Sequence, residues 1–215
     1  MNYEKIILEL FGRVQELETN SALLEKRLAL IESGSFGGDD EDENKEMTMQ
    51  DKIKRSKARQ DAMDIIKEMY KDRNYEPYVA KKDEGRGIRV DRLDDDDYLL
   101  IKFYHSKTFP RQSGKYESGW HVLDAEEVRR GNHYSLYLFS MVDTKGEMHY
   151  FMFTQQELLN YFLSHRESDL DDDLWRLQFS IQDGNAYELR ETPIPITEHY
   201  NNWSKLGQLH GIKFN

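Results

Sequence analysis

The chain has 215 residues, of which 38% are hydrophobic and 33% are charged, and its formal net charge is -11. The absence of cysteine excludes disulfides, thiol catalysis and thiolate metal sites. No apolar run approaches the roughly 20 residues that span a bilayer. We therefore expect a cytoplasmic protein of one domain plus an appendage, with no membrane partner. Residues 39–46 alone hold six of the acids, so the overall charge leaves room for a basic binding face elsewhere.

A heptad repeat opens the chain at residues 1–32. Its apolar residues recur at alternating gaps of four and three, which is the 3.5-residue period of a coiled coil. A glycine-rich and acidic segment at 33–47 follows and predicts a flexible linker. We predict a coiled-coil helix that joins copies of the chain into a homo-oligomer, from dimer to tetramer. The alternative is one amphipathic helix packed on its own domain. The residues predicted to form the oligomer seam are Ile7, Leu10, Val14, Leu17, Leu24, Leu28 and Ile31.

Residues 48–215 predict an α+β domain in which helices flank a mixed β-sheet. A capping box at 48–51 predicts a first helix that runs to about residue 73. A second capping box at 154–157 predicts a helix that ends at about residue 164, and a last helix over 199–206 would bury Trp203. Asp183-Gly184 is typical of a hairpin turn between strands at 174–181 and 186–190. Alternating apolar residues predict further strands at 75–81, 87–93, 98–105, 120–123, 134–142 and 148–153, with a loop over 106–119.

Two segments of this domain are basic. They are the first turns of the first helix and the loop at 106–119, where basic residues alternate with aromatic ones. This composition suits phosphate contacts and base stacking. The alternatives are a solvated helix face and an ordinary surface loop. The predicted nucleic-acid contacts are Lys52, Lys54, Arg55, Lys57, Arg59, Lys107, Arg111 and Lys115.

Other chemical motifs point to no cofactor. The acidic runs at 94–97 and 169–173 lack the pattern of a calcium-binding loop and favour exposed turns. The seven histidines show no metal-ligand spacing, and neither a P-loop nor a nucleophile elbow is present.

One constellation is more specific. Asp91 ends an apolar strand, an acidic turn follows, and the next strand carries Lys102 within an apolar run. A lysine in that position is costly to bury without a carboxylate partner. The pattern resembles the PD-(D/E)xK, restriction-endonuclease-like superfamily over about residues 50–206. The resemblance implies that Asp91 binds Mg²⁺ and that Lys102 helps to activate the attacking water. The glutamate position of the motif is Leu100, so Glu68 of the first helix is the candidate replacement.

The leading expectation is an oligomeric, non-catalytic binding protein. It would act on nucleic acid or on a protein partner through a catalytically degenerate endonuclease-like domain. The first alternative is a Mg²⁺-dependent nuclease that uses Asp91, Lys102 and Glu68. The second is a structural scaffold or inhibitor protein.

Overall fold

The computed structural model describes residues 53–71, 73–85, 87–110, 117–131, 134–190, 192–209 and 211. All of them belong to one compact unit, Met47–Asn215. The predicted coiled coil, linker and first capping box lie outside the described residues, as do Lys52, Arg111 and Lys115. No helix among the described residues is long and apolar enough to cross a membrane.

The described residues form a mixed α+β fold. The α-helices are α1 (Arg55–Met69), α2 (Ala125–Arg130), α3 (Gln155–His165) and α4 (Ser204–Leu209). The strands are β1 (Tyr75–Val79), β2 (Ile88–Arg92), β3 (Tyr98–Pro110), β4 (Glu117–Asp124), β5 (Leu136–Val142), β6 (Met148–Phe153), β7 (Leu174–Gln182), β8 (Asn185–Glu188) and β9 (Ile194–Pro195). Short 3₁₀ helices lie at Glu167–Asp169 and Thr197–His199.

The strands form one nine-stranded sheet in which β3 is the branch point. One path through the sheet runs β1-β2-β3-β4-β7-β8-β9, and a branch continues from β3 to β5 and β6. The pair of β3 with β5 is parallel, whereas the other strand pairs are antiparallel. The predicted mixed α+β class is therefore confirmed.

Hydrophobic clusters cover both faces of the central strands. On β3, Leu99, Ile101 and Phe103 face the cluster beneath α1, which we call the α1 core. Leu100 lies in a second cluster on the opposite face, which also contains Phe162 of α3 and which we call the α3 core. A strand that is buried on both faces needs a near-continuous apolar run, and this explains the sequence of β3.

Two local predictions are confirmed. Thr154 and Glu157 form a reciprocal capping box at the start of α3, so two backbone N–H groups that the helix leaves unpaired are satisfied. Asp183 and Gly184 take positive φ angles of 50° and 79° between β7 and β8, as a two-residue hairpin turn requires.

Several predicted boundaries are wrong. The first helix ends at Met69 rather than near residue 73. Most of the loop predicted at 106–119 is strand, because β3 continues to Pro110 and β4 begins at Glu117. The pairing of Thr108 with Gly119 extends both strands into the segment that was predicted to be a loop.

Helix α2 was not predicted, and the last helix is displaced. Asp124 caps the start of α2 and Gly131, at a φ of 67°, ends it, but six residues are too few for a periodic pattern. The last helix begins at Ser204 rather than at residue 199. Trp203 is only half-buried and packs edge-on against the ring of Tyr150 at 5.0 Å.

Candidate nucleic-acid interface

Part of one sheet face carries exposed apolar and aromatic side chains. Phe103 faces α1, and Phe109 faces the same way because alternate side chains of a strand share a face. Phe109 pairs with Ser118, so Trp120 and Val122 of β4 also point to this side. These outward side chains remain exposed, at 59% for Phe109, 45% for Trp120 and 48% for Val122.

Strand β7 completes this surface. Val122 pairs with Arg176, and Asp124 pairs with Leu174. Both β7 side chains are exposed. We call the surface formed by Phe109, Trp120, Val122, Leu174 and Arg176 the open face.

The aromatic end of the open face lies beside Lys107. Thr108 lies opposite Gly119 in the β3–β4 register. One residue further along the two strands, Lys107 lies beside Trp120. The backbone N–H of Trp120 donates to the hydroxyl of Ser106 at 3.1 Å, which holds the two strands together at this point. Phe109 and Trp120 are diagonal neighbours, about 7 Å apart at their Cα atoms. The two exposed rings therefore flank one lysine.

The first turn of α1 borders this end of the open face. Arg55 donates to the carbonyl oxygen of Phe103 at 2.7 Å. Burial lowers the pKa of His105, a backbone hydrogen bond involving Ile53 opposes that change, and the charges of Arg55 and Lys107 lower the pKa further. Two cations from distant parts of the sequence therefore lie near one imidazole.

The predicted basic residues separate into two groups. Arg55 and Lys107 lie next to the aromatic end of the open face, and Lys54, the residue before α1, is exposed. Lys57 instead forms an ion pair with Asp61 at 2.6 Å along α1. Arg59 is half-buried, and burial followed by the charge of Arg55 lowers its pKa.

Val122, Leu174 and Arg176 were not predicted to belong to a binding surface. Their exposure depends on where α1 packs, and no local pattern reports that position. The far end of the open face is more acidic, because Asp124 and the neighbouring acids at 171–173 lie there. A polyanion would therefore be held mainly at the end formed by Phe109 and Trp120.

The residues of the nuclease alternative are not brought together. Asp91 and Lys102 share one face of the β2–β3 pair, but Asp91 lies opposite Tyr98, four residues from Lys102. This offset corresponds to about 13 Å along the strand. Asp91 accepts hydrogen bonds from Tyr78 at 2.5 Å and from Arg89 at 2.6 Å. Glu68 is exposed and pairs with Lys71 at 3.1 Å.

The carboxylate that accompanies Lys102 comes from α2. Nζ of Lys102 lies 2.6 Å from Oε2 of Glu127 and 3.4 Å from the hydroxyl of Tyr134. Burial raises the pKa of Tyr104, and the nearby charge of Glu127 raises it further. Lys102 therefore has a carboxylate partner, as expected. That partner is Glu127, 25 residues further along the chain, and not Asp91.

We expect the Lys102–Glu127 pair to stabilise the fold. Glu127→Ala should lower the free energy of unfolding by about 1–3 kcal/mol, because it leaves the ammonium group of Lys102 poorly solvated and unpaired. Glu126→Ala is a matched control, since Glu126 is the neighbouring acid in the same helical turn and its pair with Arg130 is exposed. Urea unfolding measures both changes. Equal losses in the two variants would contradict a specific role for the pair.

A cleft of about 290 Å³ lies elsewhere, between α3 and residues 194–199. Two of its lining residues contact Lys205, whose Nζ lies 2.6 Å from Oε1 of Glu157 and 2.8 Å from Nδ1 of His199. Burial, and then the charge of Lys205, lowers the pKa of His199. The imidazole stacks on Phe153 at a ring distance of 3.9 Å. These ionisable groups contact one another, so we assign them the structural role of joining α4 to α3.

Comparison with known proteins identifies no relative. No protein-family model, no curated protein and no solved structure matches this chain.

Proposed function

We propose that this protein binds single-stranded nucleic acid through the open face, without catalysis. The observation that carries the proposal is the exposure of Phe109 and Trp120 on neighbouring strands beside Lys107. Exposed aromatic rings stack on unpaired bases, and adjacent lysine and arginine side chains neutralise the phosphates between them.

A single strand fits this surface better than a duplex does. The rings stand on a sheet face and can stack only on bases that are already unpaired. Basic residues flank the rings. Arg55 and Lys107 lie on one side. On the other side, Trp120 pairs with Gln178, and Arg176 lies two residues from Gln178 along β7. The phosphates of a bound strand would lie along this basic border.

The heptad repeat supports an oligomeric form of the same function. We propose that residues 1–32 join several domains through the linker at 33–47. Linked copies raise the effective concentration of every open face after the first has bound, so modest affinity per domain becomes tighter overall. On this proposal, the domain resembles endonuclease-like proteins in its fold but is catalytically degenerate. The separate partners of Asp91, Lys102 and Glu68 argue against the nuclease alternative.

Fluorescence anisotropy with labelled RNA and DNA of about 15 nucleotides tests the proposal across salt concentrations. We expect binding to weaken with salt, with a slope of about 0.7 per phosphate contact in a plot of the logarithms. Lys107→Ala should lower the affinity for all sequences and reduce the slope by about one contact. Lys145→Ala is the control, because Lys145 is an exposed lysine on the β5–β6 turn.

Two further measurements complete the experiment. A chain that lacks residues 1–32 should bind a long oligonucleotide at least about tenfold more weakly, because avidity is lost. A duplex should bind more weakly than a single strand of equal length. If no oligonucleotide binds in a salt-dependent way, the proposal is wrong and the open face is left for a protein partner.

A further inference from the structure

The β5–β6 hairpin brings three potential metal ligands together at its tip. Asp143 follows β5, Glu147 precedes β6, and His149 lies within β6 opposite Met141. One carboxylate oxygen from each acid and one ring nitrogen of His149 all lie within 4.8 Å of one another. The spacing of these residues matches no common metal motif, because the hairpin rather than a helical turn brings them together.

The separation of two of these atoms matches a shared ion. Nε2 of His149 lies 3.5 Å from Oδ2 of Asp143, which is at the outer limit of a hydrogen bond. Two ligands bound tetrahedrally to zinc, each about 2.1 Å from the ion, lie about 3.4 Å apart. The imidazole and the carboxylate are therefore already at the distance that a common ion requires.

A residue outside the hairpin orients the imidazole. Nδ1 of His149 lies 3.0 Å from the hydroxyl oxygen of Tyr200. Tyr200 is anchored by its β-bridge to Phe151 and by the bond from the next backbone N–H, that of Asn201, to the carbonyl of Tyr150. When Nδ1–H donates to Tyr200, the lone pair of Nε2 faces Asp143. An outer hydrogen bond of this kind normally accompanies a histidine that binds metal.

The carboxylate of Asp143 is also held in place. Its Oδ1 accepts hydrogen bonds from the backbone N–H groups of Lys145 at 3.0 Å and Glu147 at 2.7 Å. The other oxygen, Oδ2, is thereby directed towards His149. Glu117 of β4 fixes the same turn by accepting the backbone N–H of Thr144 at 2.9 Å. Two of the three ligands therefore need little reorganisation to bind an ion.

We propose that Asp143, Glu147 and His149 bind a divalent transition-metal ion of the zinc and cobalt class. An imidazole ligand favours these ions over Mg²⁺ and Ca²⁺, which prefer oxygen ligands alone. Three protein ligands leave at least one coordination position for water or another ligand. Met141, which pairs with His149, belongs to the α3 core, so this site lies on the sheet face opposite to the open face. It is therefore independent of nucleic-acid binding.

Isothermal titration of the untagged full-length protein with Zn²⁺ tests the site, and Co²⁺ absorption reports the coordination geometry. We expect one saturable site per chain, tetrahedral Co²⁺ bands in the visible spectrum, and no competition from equimolar Mg²⁺. Glu147→Gln and His149→Ala should each weaken Zn²⁺ binding at least about tenfold. Tyr200→Phe should weaken it by about 10- to 100-fold, because it removes the outer hydrogen bond.

The controls separate this site from general effects. Glu147 is exposed, so Glu147→Gln cannot unfold the core, and His149→Ala is checked by its circular-dichroism spectrum. His165→Ala should leave the affinity unchanged, because His165 is an exposed histidine on α3. Binding that survives in both Glu147→Gln and His149→Ala would overturn the proposal, as would an absence of saturable binding.

Discussion

Replacing Glu188 with alanine is expected to lower the free energy of unfolding by about 3–5 kcal/mol, because the change removes the carboxylate that forms a buried ion pair with Arg166. Glu188 and Arg166 are both almost completely inaccessible to solvent. The carboxylate accepts hydrogen bonds from Arg166 at 3.0 Å, from the hydroxyl of Tyr161 at 2.6 Å and from the backbone N–H of Gln178 at 2.9 Å. It also accepts from the backbone N–H of Arg190 at 3.2 Å, so its removal takes this acceptor away from a guanidinium, a phenol and two backbone N–H groups.

Urea unfolding followed by circular dichroism measures this effect. Glu198→Ala is the control for loss of an exposed carboxylate and should change stability by less than about 0.5 kcal/mol. The double variant Glu188→Leu with Arg166→Met should be more stable than either single change, because no unpaired buried charge remains. A loss below about 1 kcal/mol for Glu188→Ala would show that the network relaxes without cost.

Trp120→Ala is expected to weaken binding to a single-stranded oligonucleotide by about 5- to 150-fold, which corresponds to one lost base stack. Trp120 lies in the centre of the aromatic end, with Lys107 on one side and Gln178 of β7 on the other. Phe109→Ala should act in the same direction. The two effects need not add, since neighbouring side chains stack on adjacent bases of the same strand.

Fluorescence anisotropy at constant salt measures these affinities. Trp120→Phe keeps a ring at this position and should recover most of the affinity. Tyr98→Ala is the matched control, because Tyr98 is an exposed aromatic residue of β3 whose ring stacks on Arg89 away from the open face. If Tyr98→Ala loses as much affinity as Trp120→Ala, the binding surface is elsewhere. Thermal unfolding of each variant confirms that the fold is intact.

Local signals in the sequence predicted much of the α+β domain. The capping box at Thr154 and Glu157 and the Asp183-Gly184 turn act over three or four residues, so their hydrogen bonds and dihedral angles can be read directly from the chain. Helix α2 was not predicted, because its two end signals, Asp124 and Gly131, enclose a segment too short to show a periodic pattern.

The sequence by itself also determined that Lys102 needs a carboxylate partner, since an isolated ammonium group is costly to bury. Only the tertiary structure decided which one. The register between β2 and β3 separates Asp91 from Lys102, and the connection from β4 to β5 brings α2 and Glu127 to the lysine. Strand register depends on all the pairings of the sheet together, so no short motif contains it.

The open face shows the same division. Alternating apolar residues determined that Trp120 and Val122 lie on one side of a strand, and the basic and aromatic composition around Lys107 predicted nucleic-acid contact. The position of α1 decides whether that side is core or surface. Helix α1 packs over Phe103 on this face of β3 and leaves the same face of β4 exposed. An alternating pattern specifies two faces of a strand, and only the packing of distant elements determines which of them meets solvent.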